Sequence, residues 1–468
     1  MRSARGARAD VPSVVIVGGG ISGLSTAYYL KKAGIPCTLI EPRGRLGGVI
    51  TTEVVDGCVV EGGPDSFLAA KPWALELIRE LGLAGQVIGS NDHLRATYVL
   101  KGGRLVPLPD GLMMMVPTRV LPMVTTRLLG WPTKIRMGLE YFRRGAGAQS
   151  EDQSVAEFVE DHYGREAVDY LAEPLLAGVY GGSPEALSVR SVLGRFVELE
   201  ARYGSLTRGV LAERRKAVGA ASGLPLFQTL KGGLGQLITA LEEAVRDSVT
   251  VVRGMAEALE QAGPGLRVRV GGEWLSAEHV VVACQAYRAG ELVESVDSEL
   301  AGTLQSIPYC SSMTVALTYD RQAVGHRLNG FGFLVPRRER RRLVACTWVG
   351  TKFTNRTPDD RALLRCFLGG ADDPGILDEP DEAVVALVRE ELRRTMGVMA
   401  EPLSTRLSRW PRSMAQYTVG HERLAREIEE RRRRIPGLAL AGNAYQGIGI
   451  PDCIRMGRDA AREISRTA

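Results

Sequence analysis

Val14-Val15-Ile16-Val17-Gly18-Gly19-Gly20-Ile21-Ser22-Gly23 is the stretch whose reading decides the fold. Four β-formers in a row read as a buried parallel strand. Gly18, Gly20 and Gly23 fit the spacing G-x-G-x-x-G, and Leu24 to Ala33 reads as a helix stopped by Gly34. Gly18 permits the tight turn, Gly20 lets backbone approach a pyrophosphate, and Gly23 lets the helix pack closely on the strand. A diphosphate there lies on the positive end of the helix dipole. Leu39-Ile40-Glu41 closes the unit, with Glu41 eighteen residues after Gly23. A carboxylate at the end of a second strand accepts hydrogen bonds from a ribose 2′-OH and repels a 2′-phosphate, which disfavours NADP. The competing reading is a strand–helix turn with no ligand. Strand, helix and acid at these intervals favour dinucleotide binding.

At 468 residues the chain can bury a large core and divide into two or three domains. Net charge is only +5, so composition does not argue for nucleic acid. Seven scattered cysteines without a C-x-x-C fit free thiols in a reducing cytoplasm better than disulfides or zinc. Five histidines without ligand spacing leave no metal site to propose. Met1 to Asp10 is Arg-rich but lacks an apolar core behind it, so it reads as a tail rather than a secretory signal. No stretch has the apolar length of a membrane-spanning helix.

Outward from the first unit, Thr51 to Glu61 reads as a hairpin around Asp56-Gly57, and Ala69 to Leu83 as a helix. Arg95 to Pro109 reads as a strand, a Gly102-Gly103 turn and a second strand. From Gly111 apolar residues alternate with Arg119, Arg127, Lys134, Arg136, Arg143 and Arg144, which predicts amphipathic helices from about 117 to 145. Those stripes either pack inside the protein or dock on a lipid surface. Ser150 to Ser154 is a polar break, with Ser154 and Glu157 spaced as a capping box. Glu213 to Ala221 reads as a solvated end to this helical block. A helix over Leu237 to Arg246 and strands over Val249 to Val252 and Val280 to Cys284 return to the opening α/β style. Strand-like runs at Ser312 to Tyr319, Arg342 to Val349 and Ala362 to Leu368, with a helix over Asp381 to Met396, suit an antiparallel sheet covered by helix. The charge runs Arg337 to Arg342 and Arg431 to Arg434 read as solvated surface. Gly437 to Asn443 reads as a strand entering a glycine turn, and Cys453 to Ser465 as the last helix.

Arg43-Gly44-Arg45-Leu46-Gly47-Gly48 and Glu61-Gly62-Gly63-Pro64-Asp65-Ser66 choose the dinucleotide. Here the chain resembles the amine oxidase-like flavoproteins, whose glycine fingerprint is followed by an Arg-x-Gly-Gly turn that holds FAD. The closing run Gly442-Asn443-Ala444-Tyr445-Gln446-Gly447-Ile448-Gly449-Ile450-Pro451-Asp452 sharpens this to the protoporphyrinogen and coproporphyrinogen III oxidase family. Gly178-Val179-Tyr180-Gly181-Gly182, Lys231-Gly232-Gly233-Leu234 and Arg409-Trp410-Pro411 also match it. The resemblance implies an α/β fold with a discontinuous Rossmann-type FAD-binding domain (12–92, 225–290 and 435–468). An antiparallel-sheet substrate domain (93–110 and 291–434) and an inserted helical domain (111–224) complete it. It implies FAD contacts at Gly18, Gly20, Ile21, Ser22, Gly23, Glu41, Pro42, Arg45, Gly47, Gly48, Gly63, Pro64, Asp65, Ser66, Ala256, Trp410, Gly442, Asn443, Gly449, Ile450 and Pro451.

The same resemblance implies a flat apolar slot for a porphyrinogen, with Gly178 in its wall and Arg95 and Lys71 as anchors for propionates. The Lys71 neighbourhood and Thr347-Trp348-Val349-Gly350-Thr351-Lys352-Phe353 resemble the soluble bacterial branch that oxidises coproporphyrinogen III, with protoporphyrinogen IX as the alternative substrate. O2 is the expected oxidant, and no catalytic side chain is assigned because the flavin carries the hard step. Expected partners are a ferrochelatase receiving the product, a second copy of the chain, and a peripheral contact of 111–145 with the inner face of the membrane. The remoter alternatives are an amine oxidase, a carotenoid desaturase, or a flavin-containing porphyrin carrier that binds without oxidising.

Overall fold

The computed structural model describes residues 14–144, 151–217 and 225–466. The Arg-rich tail, part of the polar break before Ser154 and the end of the segment Glu213 to Ala221 lie outside the described residues.

A five-stranded, all-parallel sheet is assembled from three distant parts of the chain. Its order is Val249–Arg253, Cys37–Glu41, Val14–Val17, His279–Val282 and Leu438–Leu440. The central register pairs Val15 with Thr38 on one side and with Val280 on the other. Every residue of Val14–Val17 and Cys37–Glu41 is buried, as continuous apolar runs covered by helix on both faces require. The first helix is Ile21–Lys32, starting three residues before the sequence suggests because Gly20 itself is its N-cap. It lies against the last helix, Ile450–Ser465, so closely that a Cβ on Gly457 would stand 2.4 Å from the Ser22 carbonyl. The two ends of the chain therefore present two helix N-termini side by side.

The Thr52–Val55 and Cys58–Glu61 hairpin turns at Asp56-Gly57, both with positive φ, the conformation of a tight type I′ turn. A seven-stranded sheet joins Thr97–Lys101 and Arg104–Pro107 to five strands from residues 309–415. Along Tyr309–Asp320, Met313, Val315 and Leu317 pack under helix Asp381–Met396, while Ser312 and Thr314 face a large cavity. The strand expected over Arg342 to Val349 is only Ala345–Trp348. Arg342 is held in the preceding loop by Asp373 at 2.7 Å and Glu379 at 3.1 Å.

A helical block with its own core includes helices Trp131–Glu140, Val155–Tyr163, Glu173–Tyr180, Val189–Tyr203 and Leu206–Ala217. Ser154 and Glu157 form the expected capping box. Within residues 117–144 the expected amphipathic helices are two short ones, Val120–Thr125 and Trp131–Glu140. Pro122 and the Gly130-Trp131-Pro132 turn account for the interruption. Each charge run departs from the solvated reading at one residue: the Arg340 side chain is largely covered and Arg432 is buried, each between carboxylates, while Arg337, Arg338, Arg341, Arg433 and Arg434 are exposed. Among the described residues no helix is long and apolar enough to cross a membrane.

Candidate FAD and substrate site

One continuous cavity of about 1160 Å³ runs from the crossing of the two helices to the cavity face of the seven-stranded sheet. That exceeds the roughly 300–1,000 Å³ of a single small-molecule site, leaving room for a cofactor and a second ligand.

At the first end the wall is backbone. Gly18 has φ +107°, and a Cβ there would meet the Ala283 carbonyl at 2.7 Å. A Cβ on Gly23 would stand 1.9 Å from the Gly18 carbonyl oxygen, so helix and turn touch without a side chain between them. Gly20 differs: the nearest atom to its Cβ position is the Gly48 Cα at 4.0 Å, and both residues face the cavity. The Gly47 amide donates to the Gly19 carbonyl at 2.8 Å, which lays the Arg-x-Gly-Gly turn on the first glycine run. Buried Glu41 accepts the Gly19 amide at 2.8 Å on one carboxylate oxygen and the Arg43 amide at 2.9 Å on the other. Its side chain is thereby fixed with lone pairs left for ribose hydroxyls. Gly449 caps the last helix beside this cleft, with Ile450, Pro451 and Asp452 in its first turn.

An extended cleft with bare backbone at its centre, two helix N-termini and a fixed ribose acid fits a dinucleotide. Of the residues expected to hold FAD, nineteen line the cavity: Gly18, Gly20, Ile21, Ser22, Glu41, Pro42, Gly47, Gly48, Gly63 to Ser66, Ala256, Trp410, Gly442, Asn443 and Gly449 to Pro451. Gly23 sits behind them as a packing residue. Arg45 does not line the cavity. Its guanidinium donates to the carbonyls of Gly48 at 2.6 Å, Leu46 at 3.2 Å and Ile50 at 3.3 Å, so it holds the turn from outside, and Arg43 faces the cavity instead.

At the second end the wall is side chain. Leu175, Leu334, Val344, Phe367 and Met414 make it apolar, and Gly178 lies among them. Trp410 Nε1 and Thr314 Oγ1 both donate to the Gly62 carbonyl, at 2.8 and 2.7 Å, and pin the Gly62-Gly63 turn to the sheet. Lys352 Nζ lies 2.9 Å from Asp65 Oδ2, and Arg365 donates to the Gly63 carbonyl. Burial pushes the Asp65 carboxyl up, but Lys352 and Arg365 outweigh it and hold it well below the usual carboxylate range. Arg365 is buried, and its Nε has no protein partner. Lys71 lines the cavity and reaches Asp452 Oδ2 at 2.5 Å, tying the start of helix Pro72–Glu80 to the last helix.

Arg95 departs from its expected place. It ends the short turn Asp92–Leu94, two residues before strand Thr97–Lys101, with its amide 3.4 Å from the Asp92 carbonyl. Its side chain is exposed and does not line the cavity. The charged cavity residues that the sequence did not single out as anchors include Lys352, Arg365, Arg340 and Asp372. Arg365 carried a signal, being a lone arginine inside the apolar run Ala362 to Leu368. Asp372 carried none.

Residues 21–465 match the description Flavin containing amine oxidoreductase. The chain is 33% identical over 461 residues to the coproporphyrinogen III oxidase of Bacillus subtilis (strain 168), covering 96% of this chain and 97% of that one. It is 31% identical to the coproporphyrinogen III oxidase of Staphylococcus aureus (strain NCTC 8325 / PS 47), covering 97% and 98%. A crystal structure from Exiguobacterium sp. 255-15 superposes with a TM-score of 0.87 at 30% identity, over 97% of this chain and 99% of that one. With near-complete coverage in each case, this chain belongs to the flavin-containing amine oxidoreductase family, and FAD is its cofactor.

Proposed function

We propose that this protein oxidises coproporphyrinogen III to coproporphyrin III with O2, releasing hydrogen peroxide, as a step of haem biosynthesis. The observation that carries the reading is the shape of that continuous cavity. A dinucleotide cradle opens into an apolar slot into which Lys71, Lys352, Arg365 and Arg340 bring cations, each paired with an acid. Along strand Arg361–Gly369 the cavity face carries Arg365, Phe367 and Gly369 in turn. From Arg365 to Gly369 is roughly 14 Å at ~3.4 Å per residue, the scale of a tetrapyrrole. The relatives named coproporphyrinogen III oxidase support the same substrate.

FAD in the cradle supplies a two-electron acceptor, so three rounds remove six hydrogens and consume three O2. The protein's own part is binding and orientation. Glu41 holds the ribose, the helix beginning at Ile21 faces the diphosphate, and the Gly62-Gly63 turn sets the boundary between cofactor and slot. Lys71 and Lys352 face the propionates at one end. Among the described residues no histidine lines the cavity, and Asp65, Asp452 and Asp372 are each engaged by a cation, so no general base is assigned.

Initial rates of fluorescence gain under air test the reading on FAD-loaded protein. Faster turnover of coproporphyrinogen III supports it, faster turnover of protoporphyrinogen IX moves the assignment to that substrate, and turnover of neither ends it.

Val120, Leu121, Trp131, Ile135 and Leu139 are exposed on the two short helices, and Phe142 in the turn after them, amid Arg119, Arg127, Lys134 and Arg136. An apolar face rimmed by cations suits an anionic lipid surface, so the reading includes peripheral contact on the cytoplasmic face of the membrane. Flotation with anionic vesicles, lost in Leu121→Asp/Ile135→Asp, tests it. Pairing of two copies and product transfer to a ferrochelatase complete the reading, and sedimentation with and without a ferrochelatase tests both.

A further inference from the structure

We propose that Arg340 is the carboxylate anchor at the far end of the slot, and that Asp372 occupies its guanidinium as a displaceable stand-in for a substrate propionate. The proposal rests on the porphyrinogen reading above and adds to it the residue that recognises the more highly charged substrate.

Both side chains line the cavity, and the Arg340 side chain is only 8% exposed. The guanidinium is fixed from behind. Nη2 donates to Glu173 Oε1 at 2.6 Å and to the Val335 carbonyl at 3.1 Å, and Nε donates to the same carbonyl at 3.2 Å. Glu173 is buried, and its other oxygen accepts the Arg337 amide at 2.9 Å. It opens helix Glu173–Tyr180 directly after a π-helical turn, Val168–Ala172. Such single π turns re-aim a helix face and recur at functional sites. The same helix supplies Leu175 and Gly178 to the slot.

Nη1 is the group turned toward Asp372, whose Oδ2 it reaches at 3.0 Å. A guanidinium has two N–H on that nitrogen, so one remains free and the other is shared with a carboxylate that has a second cation. Arg337 takes Asp372 in a two-point grip, with Nε at 2.9 Å from Oδ2 and Nη2 on Oδ1. Asp372 can therefore leave Arg340 and stay fully paired. Its loop is held in place, Gly370 donating to the Ser311 carbonyl at 2.8 Å and Ala371 to the Gly181 carbonyl at 2.7 Å, so the exchange needs only the Asp372 side chain to turn. An incoming carboxylate would replace one carboxylate by another on Nη1, which avoids leaving a buried charge unpaired in either state. A buried arginine is suited to this because its charge is permanent and its fork matches a carboxylate.

Coproporphyrinogen III carries four propionates and protoporphyrinogen IX two, so the far anchor discriminates between them. The test measures KM for both substrates and the Kd of coproporphyrin III, read by fluorescence, on wild type, Arg340→Gln, Arg340→Lys and Asp372→Asn, with FAD content as the check on folding. Arg340→Gln is expected to raise the coproporphyrinogen KM tenfold or more, at least three times its effect on protoporphyrinogen. Arg340→Lys should recover part of that loss, and Asp372→Asn, which removes the stand-in charge, should tighten coproporphyrin about threefold. Equal changes on both substrates, or weaker coproporphyrin binding in Asp372→Asn, overturn the proposal. If Arg340→Gln loses FAD, the Asp372→Asn binding arm decides alone. Wild type that neither turns over nor binds these tetrapyrroles removes the substrate reading itself. Wild type that does both, with Arg340→Gln unchanged, removes only the anchor.

Discussion

The two ends of the cavity solve the same problem, holding anionic ligands away from water, with different materials. At the dinucleotide end the wall is backbone amide and helix N-terminus, with one buried acid, Glu41, held by two amides. At the substrate end it is a set of partly buried ion pairs, Lys352 with Asp65, Lys71 with Asp452 and Arg340 with Asp372, hung on strands and loops far apart in the chain. A backbone cradle is rigid and pays little for desolvation. Ion pairs keep charge available in a low-dielectric slot because each cation arrives already compensated.

The largest expected effect separates steric from ligand roles inside the backbone cradle. Gly23→Ala drives a methyl to 1.9 Å from the Gly18 carbonyl, so the strand–helix turn must open. Overpacking of this kind costs about 1–3 kcal/mol, and flavin should be lost with it. Gly20→Ala has room within the protein, since its methyl would point into the cleft. It should fold with wild-type circular dichroism and still purify with less than about a tenth of the FAD, because backbone approach to the diphosphate is blocked. Yellow Gly20→Ala protein would place the diphosphate elsewhere.

The next prediction concerns the other material. Arg365→Gln removes a buried cation from the Asp65–Lys352 cluster and leaves Asp65 with Lys352 alone. Breaking a buried pair costs about 3 kcal/mol, measured as apparent stability in urea. The same change in Asp65→Asn should make stability less sensitive to acid. The Asp65 carboxyl is held low in the folded state, so its contribution is present above the ordinary carboxylate range and is lost as pH falls below it.

This contrast also decides what was legible in the sequence. Gly18, Gly20, Gly23 and Glu41 could be read because a backbone site needs special residues at fixed local spacing, whereas the last helix begins at Ile450, capped by Gly449, three residues before the Cys453 start read from sequence. The five-stranded sheet followed from them, since a continuous apolar run such as Val280-Val281-Val282 has few other places to go. The substrate end gave no such spacing. Arg340 looked like one more solvated arginine because its partners, Glu173 and Asp372, lie 167 and 32 residues away. Arg45 was legible as part of a motif but not in its orientation: a motif fixes the turn, and local carbonyls decide where the guanidinium goes.

A smaller effect is expected outside the cavity, where a buried ion pair carries no ligand. His162 lies between Glu140 at 3.0 Å and Glu200 at 3.2 Å, clamping the helix that bears the exposed apolar face. Burial pulls its pKa down, but the two carboxylates more than compensate, and it ends above the usual histidine value. Stability from this clamp is therefore complete below about 6.5 and is lost as pH rises through the higher folded value. Burial also opposes charge on Glu140, yet hydrogen bonds from His162 and Thr207 hold it at about 2. Its contribution is present above about 4.5 and fades as pH falls toward the folded value. Hydrogen exchange of the Trp131–Glu140 amides should be slowest between these limits, and His162→Gln should flatten the neutral-side slope.

The smallest effect sharpens the comparison most, because it sets one paired, cavity-lining cation against one exposed cation outside it. The Lys71 side chain is 40% exposed, so Lys71→Ala should cost under ~1 kcal/mol of stability. It nevertheless leaves Asp452 buried without its cation at the mouth of the last helix, so the KM for coproporphyrinogen III should rise severalfold. Arg95→Ala should raise it less, since the Arg95 side chain is exposed and does not line the cavity. Equal rises would mean that the Asp92–Ala96 turn folds over the slot when substrate is bound. The substrate end would then be a site completed by its ligand, unlike the preformed cradle opposite it.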